Sequence, residues 1–249
     1  MKKTQFLWLF GLFFILTANS QTKTETRTVG SYSKIESRGS TKVILVSDNS
    51  NTLTAEGDEK ALQNLVTEVK GNTLTIYIKS TKKLNFKGNV TVKVPFQQLN
   101  EVSLSGSGSI SSDATIKTDN FAVSLNGSGK IDLNVASSGK ASARLDGSGK
   151  IELDINAGKT SAEINGSGKI TLKGKTNSFT GNINGSGELT ASDLTSETSE
   201  VSVHGSGNLK TNTTGNLTAN VHGSGNIKYN GDPKIVNKNV NGSGKVSKS

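Results

Sequence analysis

The tripeptide Gly-Ser-Gly occurs eight times, beginning at Gly106, Gly127, Gly147, Gly166, Gly185, Gly205, Gly223 and Gly242. The steps between copies run from 18 to 21 residues. So regular a period is the mark of a stacked repeat, in which each unit buries its apolar face only against its neighbours.

The flanks constrain the unit further. Two residues before each copy stand Leu104, Leu125, Leu145, Ile164, Ile183, Val203, Val221 and Val240. Two residues after it stand Ile110, Ile131, Ile151, Ile170, Leu189, Leu209, Ile227 and Val246. Around them polar and apolar residues alternate, as in Ile131-Asp132-Leu133-Asn134-Val135, which is the period of a strand buried on one face. The two aliphatic positions of each copy are separated by an even number of residues, so both point into the core. By the same parity the two glycines face inward, relieving a corner of side chains, and the serine between them faces out.

The chain opens with Lys2 and Lys3, an apolar run from Phe6 to Leu16, and Ala18-Asn19-Ser20. This is the pattern of a secretory leader, and the run is too short for a membrane span, which needs about 20 residues. Cleavage after Ser20 leaves residues 21–249 as an extracytoplasmic chain with no transmembrane span. There is no cysteine, hence neither a lipid-anchor site nor a disulfide framework. Loss of the leader removes the one tryptophan, Trp8, and lowers the formal charge from +9 to +7. The lysines are scattered, which favours weak attraction to anionic glycans over nucleic-acid recognition.

Residues 22–98 lack the tripeptide but keep the strand rhythm, in Lys42-Val43-Ile44-Leu45-Val46 and Asn72-Thr73-Leu74-Thr75-Ile76. Between these, Asp58 can cap a short helix whose Ala61, Leu62, Leu65 and Val66 share one face. This irregular part is expected to cover the open end of the solenoid. No linker separates it from the repeats of residues 99–249, so residues 21–249 read as a single β-helix domain. Mid-period glycines at Gly139, Gly158, Gly174 and Gly215 allow a second corner in each coil. The rival architecture is a row of hairpins, since Asn-Gly at Asn126-Gly127 and its equivalents is a strong hairpin signal. The parallel coil is favoured because no second turn of equal strength recurs and identical residue types would stack.

The helix-like DEKALQNLVTEVKGNTLTI stretch, the VPFQQLNEVSLSGSGSI junction and the reiterated NGSGKI motif resemble the bacterial putative auto-transporter adhesin, head GIN domain family, from about Val29 to Val246. The resemblance implies an exported, right-handed parallel β-helix of Bacteroidetes-type bacteria, and it supplies no catalytic residues and no cofactor. Overall the fold class is all-β, a right-handed parallel β-helix with one short N-terminal helix.

Stacking would line up the residues before each tripeptide, Ser105, Asn126, Asp146, Asn165, Asn184, His204, His222 and Asn241, about 4.8 Å apart. Asn, Asp and His tolerate left-handed backbone, so they suit a corner. The candidate interaction stripe comprises Asn126, Ser128 and Lys130, then Asp146, Ser148 and Lys150, then Asn165, Ser167 and Lys169. As bland alternatives these residues are a structural ladder and a solvated face. The stacked like charges Lys130, Lys150 and Lys169 would be offset by Asp132 and Glu152. His204 and His222 would be neighbours, but two imidazoles alone make an incomplete metal site. Hydrolysis would need two opposed carboxylates; Asp132 with Glu152 and Asp154 with Glu163 are the pairs on offer, each explained equally well by charge balance. The reading is of a non-catalytic surface or cell-envelope interaction protein that binds envelope glycans or proteins. Its alternatives are a binding module for anionic glycans and a β-helical glycan-active enzyme.

Overall fold

The computed structural model describes residues 22–79 and 90–249. The leader expected at residues 1–20 lies outside the described residues. Among the described residues no helix is long and apolar enough to cross a membrane.

Among the described residues eighteen strands and one helix follow one another. The N-terminal part holds β1 (Lys23–Thr28), β2 (Lys34–Gly39), β3 (Lys42–Ser47), β4 (Thr52–Gly57), α1 (Glu59–Asn64), β5 (Leu65–Lys70), β6 (Thr73–Ile78) and β7 (Thr91–Phe96). The repeats hold β8 (Glu101–Gly106), β9 (Ser109–Thr118), β10 (Phe121–Gly127), β11 (Lys130–Gly147), β12 (Lys150–Gly166), β13 (Lys169–Gly185), β14 (Glu188–Gly205), β15 (Asn208–Gly223), β16 (Asn226–Asn230), β17 (Ile235–Asn241) and β18 (Lys245–Lys248). From β8 onward every pairing is parallel. The repeats are therefore coils of a β-helix of about seven turns, and the hairpin row is excluded.

The register puts like on like. Leu104, Leu125, Leu145, Ile164, Ile183, Val203, Val221 and Val240 form one line across successive strands. Ile110, Ile131, Ile151, Ile170, Leu189, Leu209, Ile227 and Val246 form a second. All of these are buried except the last of each line, Val240 and Val246, because no further coil covers them.

The inward alternation breaks a second time in each coil. Ser138-Gly139-Lys140 leave the core consecutively in β11, whereas only Gly158-Lys159 do so in β12, and the register shifts between Ser137 and Lys140. The step that varies between copies is absorbed here and along the segment before it, where β14 has residues between Ala191 and Thr195 that β15 lacks.

The N-terminal part is less orderly in sequence than in space. β2 lies between β6 and β8, and β3 between β7 and β9, all parallel. The chain thus makes its first coil, departs through β4, α1 and β5, and returns to lay β6 and β7 on the far side of that coil before starting the repeats. Beyond that layer the pairing turns antiparallel, β5 on β6 and β4 on β7, with β1 outermost on β4. Antiparallel strands of short length are a common way to close a sheet edge.

α1 forms where expected. Asp58 accepts hydrogen bonds from the backbone of Lys60 and Ala61 at 2.9 and 3.3 Å, and Ala61 and Leu62 are buried. Leu65 and Val66, expected on the same helical face, belong instead to β5. The helix stops early because Arg27 of β1 donates to the Leu62 and Leu65 carbonyls at 2.8 and 2.6 Å, satisfying groups that a longer helix would have bonded itself.

Candidate functional site

The Gly-Ser-Gly corner is built from backbone. Gly147 has φ +125°, a conformation open essentially to glycine alone. Ser148 and Gly149 both donate their backbone N–H to the Gly127 carbonyl of the preceding coil, at 3.0 and 2.9 Å. A Cβ on Gly147 would stand 2.6 Å from that same oxygen. The second glycine is required for another reason: a Cβ on Gly149 would meet Leu125 Cδ2 at 2.6 Å. Of the two glycines only the second is buried, Gly149 against the half-buried Gly147, which corrects the inward reading of both. The corner residues Asn126, Asp146, Asn165 and their equivalents are not left-handed either, since every described residue with positive φ is glycine.

A corner of the same kind stands earlier than the eight copies. Gly39, with φ +93°, pairs with Gly106 and accepts both Ser107 and Gly108 N–H groups at 2.9 Å. The segment Arg38-Gly39-Ser40-Thr41-Lys42 is thus a degenerate ninth copy, with Thr41 in place of the second glycine. Its signal is visible once the motif is relaxed to Gly-Ser-small. This coil tolerates polar groups: Ser37, in register with Leu104, and Thr41 are both buried with hydroxyls that have no hydrogen-bond partner among the described residues.

All nine residues of the expected stripe are brought together. Asn126, Asp146 and Asn165 are in register, as are Lys130, Lys150 and Lys169, and Ser128, Ser148 and Ser167 are exposed between them. The amide ladder exists in part: Asn184 donates to Asn165 Oδ1 at 2.9 Å, and Asn165 to Asp146 Oδ1 at 2.8 Å. Arg144, which sequence reasoning passed over, clamps Asp146 through two donors at 2.8 and 3.0 Å and reaches Glu163 at 2.8 Å. Burial pushes the Asp146 carboxyl up, but the Asn165 and Arg144 hydrogen bonds outweigh it and hold it below the usual range.

The lysines are each bound to carboxylates. Lys130 contacts Asp132 and Glu152 at 3.1 and 2.6 Å, Lys150 contacts Glu152 at 2.8 Å, and Lys169 contacts Glu188 at 3.0 Å. The hydrogen bonds from Lys130 and Lys150 hold Glu152 below its ordinary value, and that from Lys169 does the same to Glu188. The three ammonium groups are thus each countered by a carboxylate, and the Arg144 guanidinium by Asp146 and Glu163. A shallow depression of about 610 Å³ follows it, lined by Ser40, Ser107, Ser128 and Ser148 together with Lys42, Lys130 and Lys150.

Asp132 of β11 and Glu152 of β12 are register neighbours on adjacent strands, joined through Lys130, so they do not oppose each other across a substrate. Asp154 and Glu163 lie on either side of the second corner, and Glu163 is held by Arg144. His204 and His222 stack with ring centres 4.9 Å apart and planes 11° off parallel. Among the described residues no group of three or more His, Cys, Asp or Glu is placed to hold a metal ion.

These features can be set against known proteins. The model of the family described as putative auto-transporter adhesin, head GIN domain, matches residues 31–154 and 134–233. The chain belongs to this family. Crystal structures of similar chains include a putative lipid binding protein from Parabacteroides distasonis, 31% identical with TM-score 0.84 over 93% of this chain and 98% of that one. A putative adhesin from the same organism is 26% identical, with TM-score 0.85 over 93% and 98%. A putative adhesin from Parabacteroides merdae, 24% identical with TM-score 0.85 over 93% and 97%, shares the fold. No curated protein matches the chain.

Proposed function

We propose that this head GIN domain protein is an exported, non-catalytic surface-interaction protein that makes its contacts along the Gly-Ser-Gly corner. Residues 1–20 act as its leader and residues 21–249 as one extracytoplasmic domain. The observation that carries the reading is the unbroken outward line of serine hydroxyls from Ser107 to Ser243, all exposed and set on corners hydrogen-bonded to the preceding coil. Rigid elements hold polar groups at fixed spacing, so a partner with a matching repeat loses little freedom of the protein on binding. Family membership and the adhesin names of its structural relatives support the same role.

With Lys130, Lys150 and Lys169 each bound to a carboxylate, the ligand of this corner is uncharged or zwitterionic: a neutral glycan or a polar protein surface. Asp132, Glu152 and Glu163 sit in ion pairs, which supports a binding role over hydrolysis. The test is binding of the intact protein to a glycan array and to cells, with and without the joint changes Ser128→Ala, Ser148→Ala and Ser167→Ala. Loss of binding with unchanged thermal melts is expected. Retained binding by a fully folded triple variant would show that this corner is not the contact surface.

A further inference from the structure

Lysines without an ion pair among the described residues occur in several places, Lys42, Lys210 and Lys228 among them, and four of them gather about the second corner. Lys117, Lys140, Lys159 and Lys175 come from four successive coils and border the second corner, and none of them makes an ion pair among the described residues. Lys140 and Lys159 face each other in register on β11 and β12. Lys117 and Lys175 share one line across the sheet, separated by Ala136 and Asn156. Like charges directly opposed on neighbouring strands are unfavourable, and here no carboxylate intervenes as Glu152 does between Lys130 and Lys150.

The acids near this corner are few. Asp119 accepts the Ser138 hydroxyl at 2.8 Å, Asp154 lies in register with Lys173, and Glu197 belongs to the next coil. A depression of about 580 Å³ opens at one end of this group, lined by Lys117 alone of the four lysines, with Thr118, Asp119, Ser138 and Asn156. No exposed large apolar side chain is near it, those of the described residues being Val46, Ile235 and Val240, so a membrane surface has nothing to insert. No exposed aromatic side chain interleaves the lysines, so single-stranded nucleic acid has no stacking platform.

We infer that the second corner, at Lys117, Lys140, Lys159 and Lys175, binds a linear anionic polysaccharide carrying carboxylate or sulfate groups. Coils stacked about 4.8 Å apart present one cation per step, so an extended acidic glycan lying along the corner sets successive anions between successive ammonium groups. This site is independent of the neutral corner proposed above, and the two fail separately.

The experiment measures binding of the intact protein to polygalacturonate and to heparin, with neutral dextran as control, at low and high salt. The decisive variant is Lys140→Glu, which places a carboxylate opposite Lys159 and so preserves or raises thermal stability. Joined with Lys117→Glu, it is expected to weaken polyanion binding by about tenfold or more, while Lys130→Ser with Lys150→Ser changes it less than about twofold. The two acidic glycans separate carboxylate from sulfate recognition. No polyanion binding, or equal loss at both corners, overturns the proposal. Binding to anionic phospholipid vesicles or to single-stranded DNA in preference to the glycans overturns it as well.

Discussion

The Lys238 ammonium lies 5.0 Å from the centre of the Tyr229 ring, reached from a line that Val123, Ala143, Ala162, Gly181, Val201 and Ala219 fill in the preceding coils. A charge thus replaces an aliphatic or glycine where the core of the last coil meets solvent. Ile235 and Val240 stand exposed in the same strand, at 53% and 42%, and the strand is paired only on its β15 side. Inward-pointing lysine on an edge is a recognised guard against edge-to-edge pairing.

Lys238→Val therefore exposes a continuous apolar end. Sedimentation or light scattering should report concentration-dependent association of the variant, with the parent unchanged over the same range. A variant that stays monomeric would show that Lys238 is not what keeps the end free.

Ile151 is fully buried between Ile131 and Ile170. Ile151→Ala should cost about 2–5 kcal/mol in denaturant melts. A loss under about half a kcal/mol, the range of surface substitutions, would contradict its place in the core.

The three residues of one corner should separate cleanly. Gly147→Val forces positive φ on a branched residue and drives its Cβ against the Gly127 carbonyl, a strain of order 1–3 kcal/mol or more. Gly149→Val clashes with Leu125. Ser148→Ala removes only an exposed hydroxyl and should stay within about half a kcal/mol of the parent. Thermal melts of the three proteins check the order.

Glu152 carries a depressed carboxyl, held by Lys130 and Lys150. Its contribution to stability is fully present above its ordinary value of 4.5 and is lost as pH falls through the lower folded value. Glu152→Gln should therefore destabilise at neutral pH by no more than about 1 kcal/mol, through loss of the pairs and uncovering of the Lys130 to Lys150 repulsion. The difference between parent and variant should shrink in melts taken progressively below pH 4.5. A difference that persists at full protonation would assign the effect to packing instead.

Both inward lines were legible because strand parity depends only on counting: Leu145 and Ile151 point the same way whatever the coil does elsewhere. The short helix was legible from Asp58, and the outward serines from the same parity that placed the aliphatics. The degenerate corner at Gly39 was hidden because Thr41 replaces the second glycine there, and the interleaving of β2 between β6 and β8 was hidden because nothing local records which earlier coil a strand returns to. The offsetting of Lys130 and Lys150 by Glu152 was legible from the stacking, but the opposition of Lys140 and Lys159 was hidden, because the register shifts at the second corner and only the paired coils show which residue faces Lys140.

The sequence alone determined the stacked period, the identity of the inward lines and the need for glycine at each corner, since these follow from steric limits on single residues and from alternation along one strand. The tertiary structure decided how the chain closes its N-terminal end, where the second corner falls in each coil and where net positive charge remains. Those depend on pairing between coils some 20 residues apart or more, and electrostatic balance is set by distance in space, which the period brings close without specifying the partner.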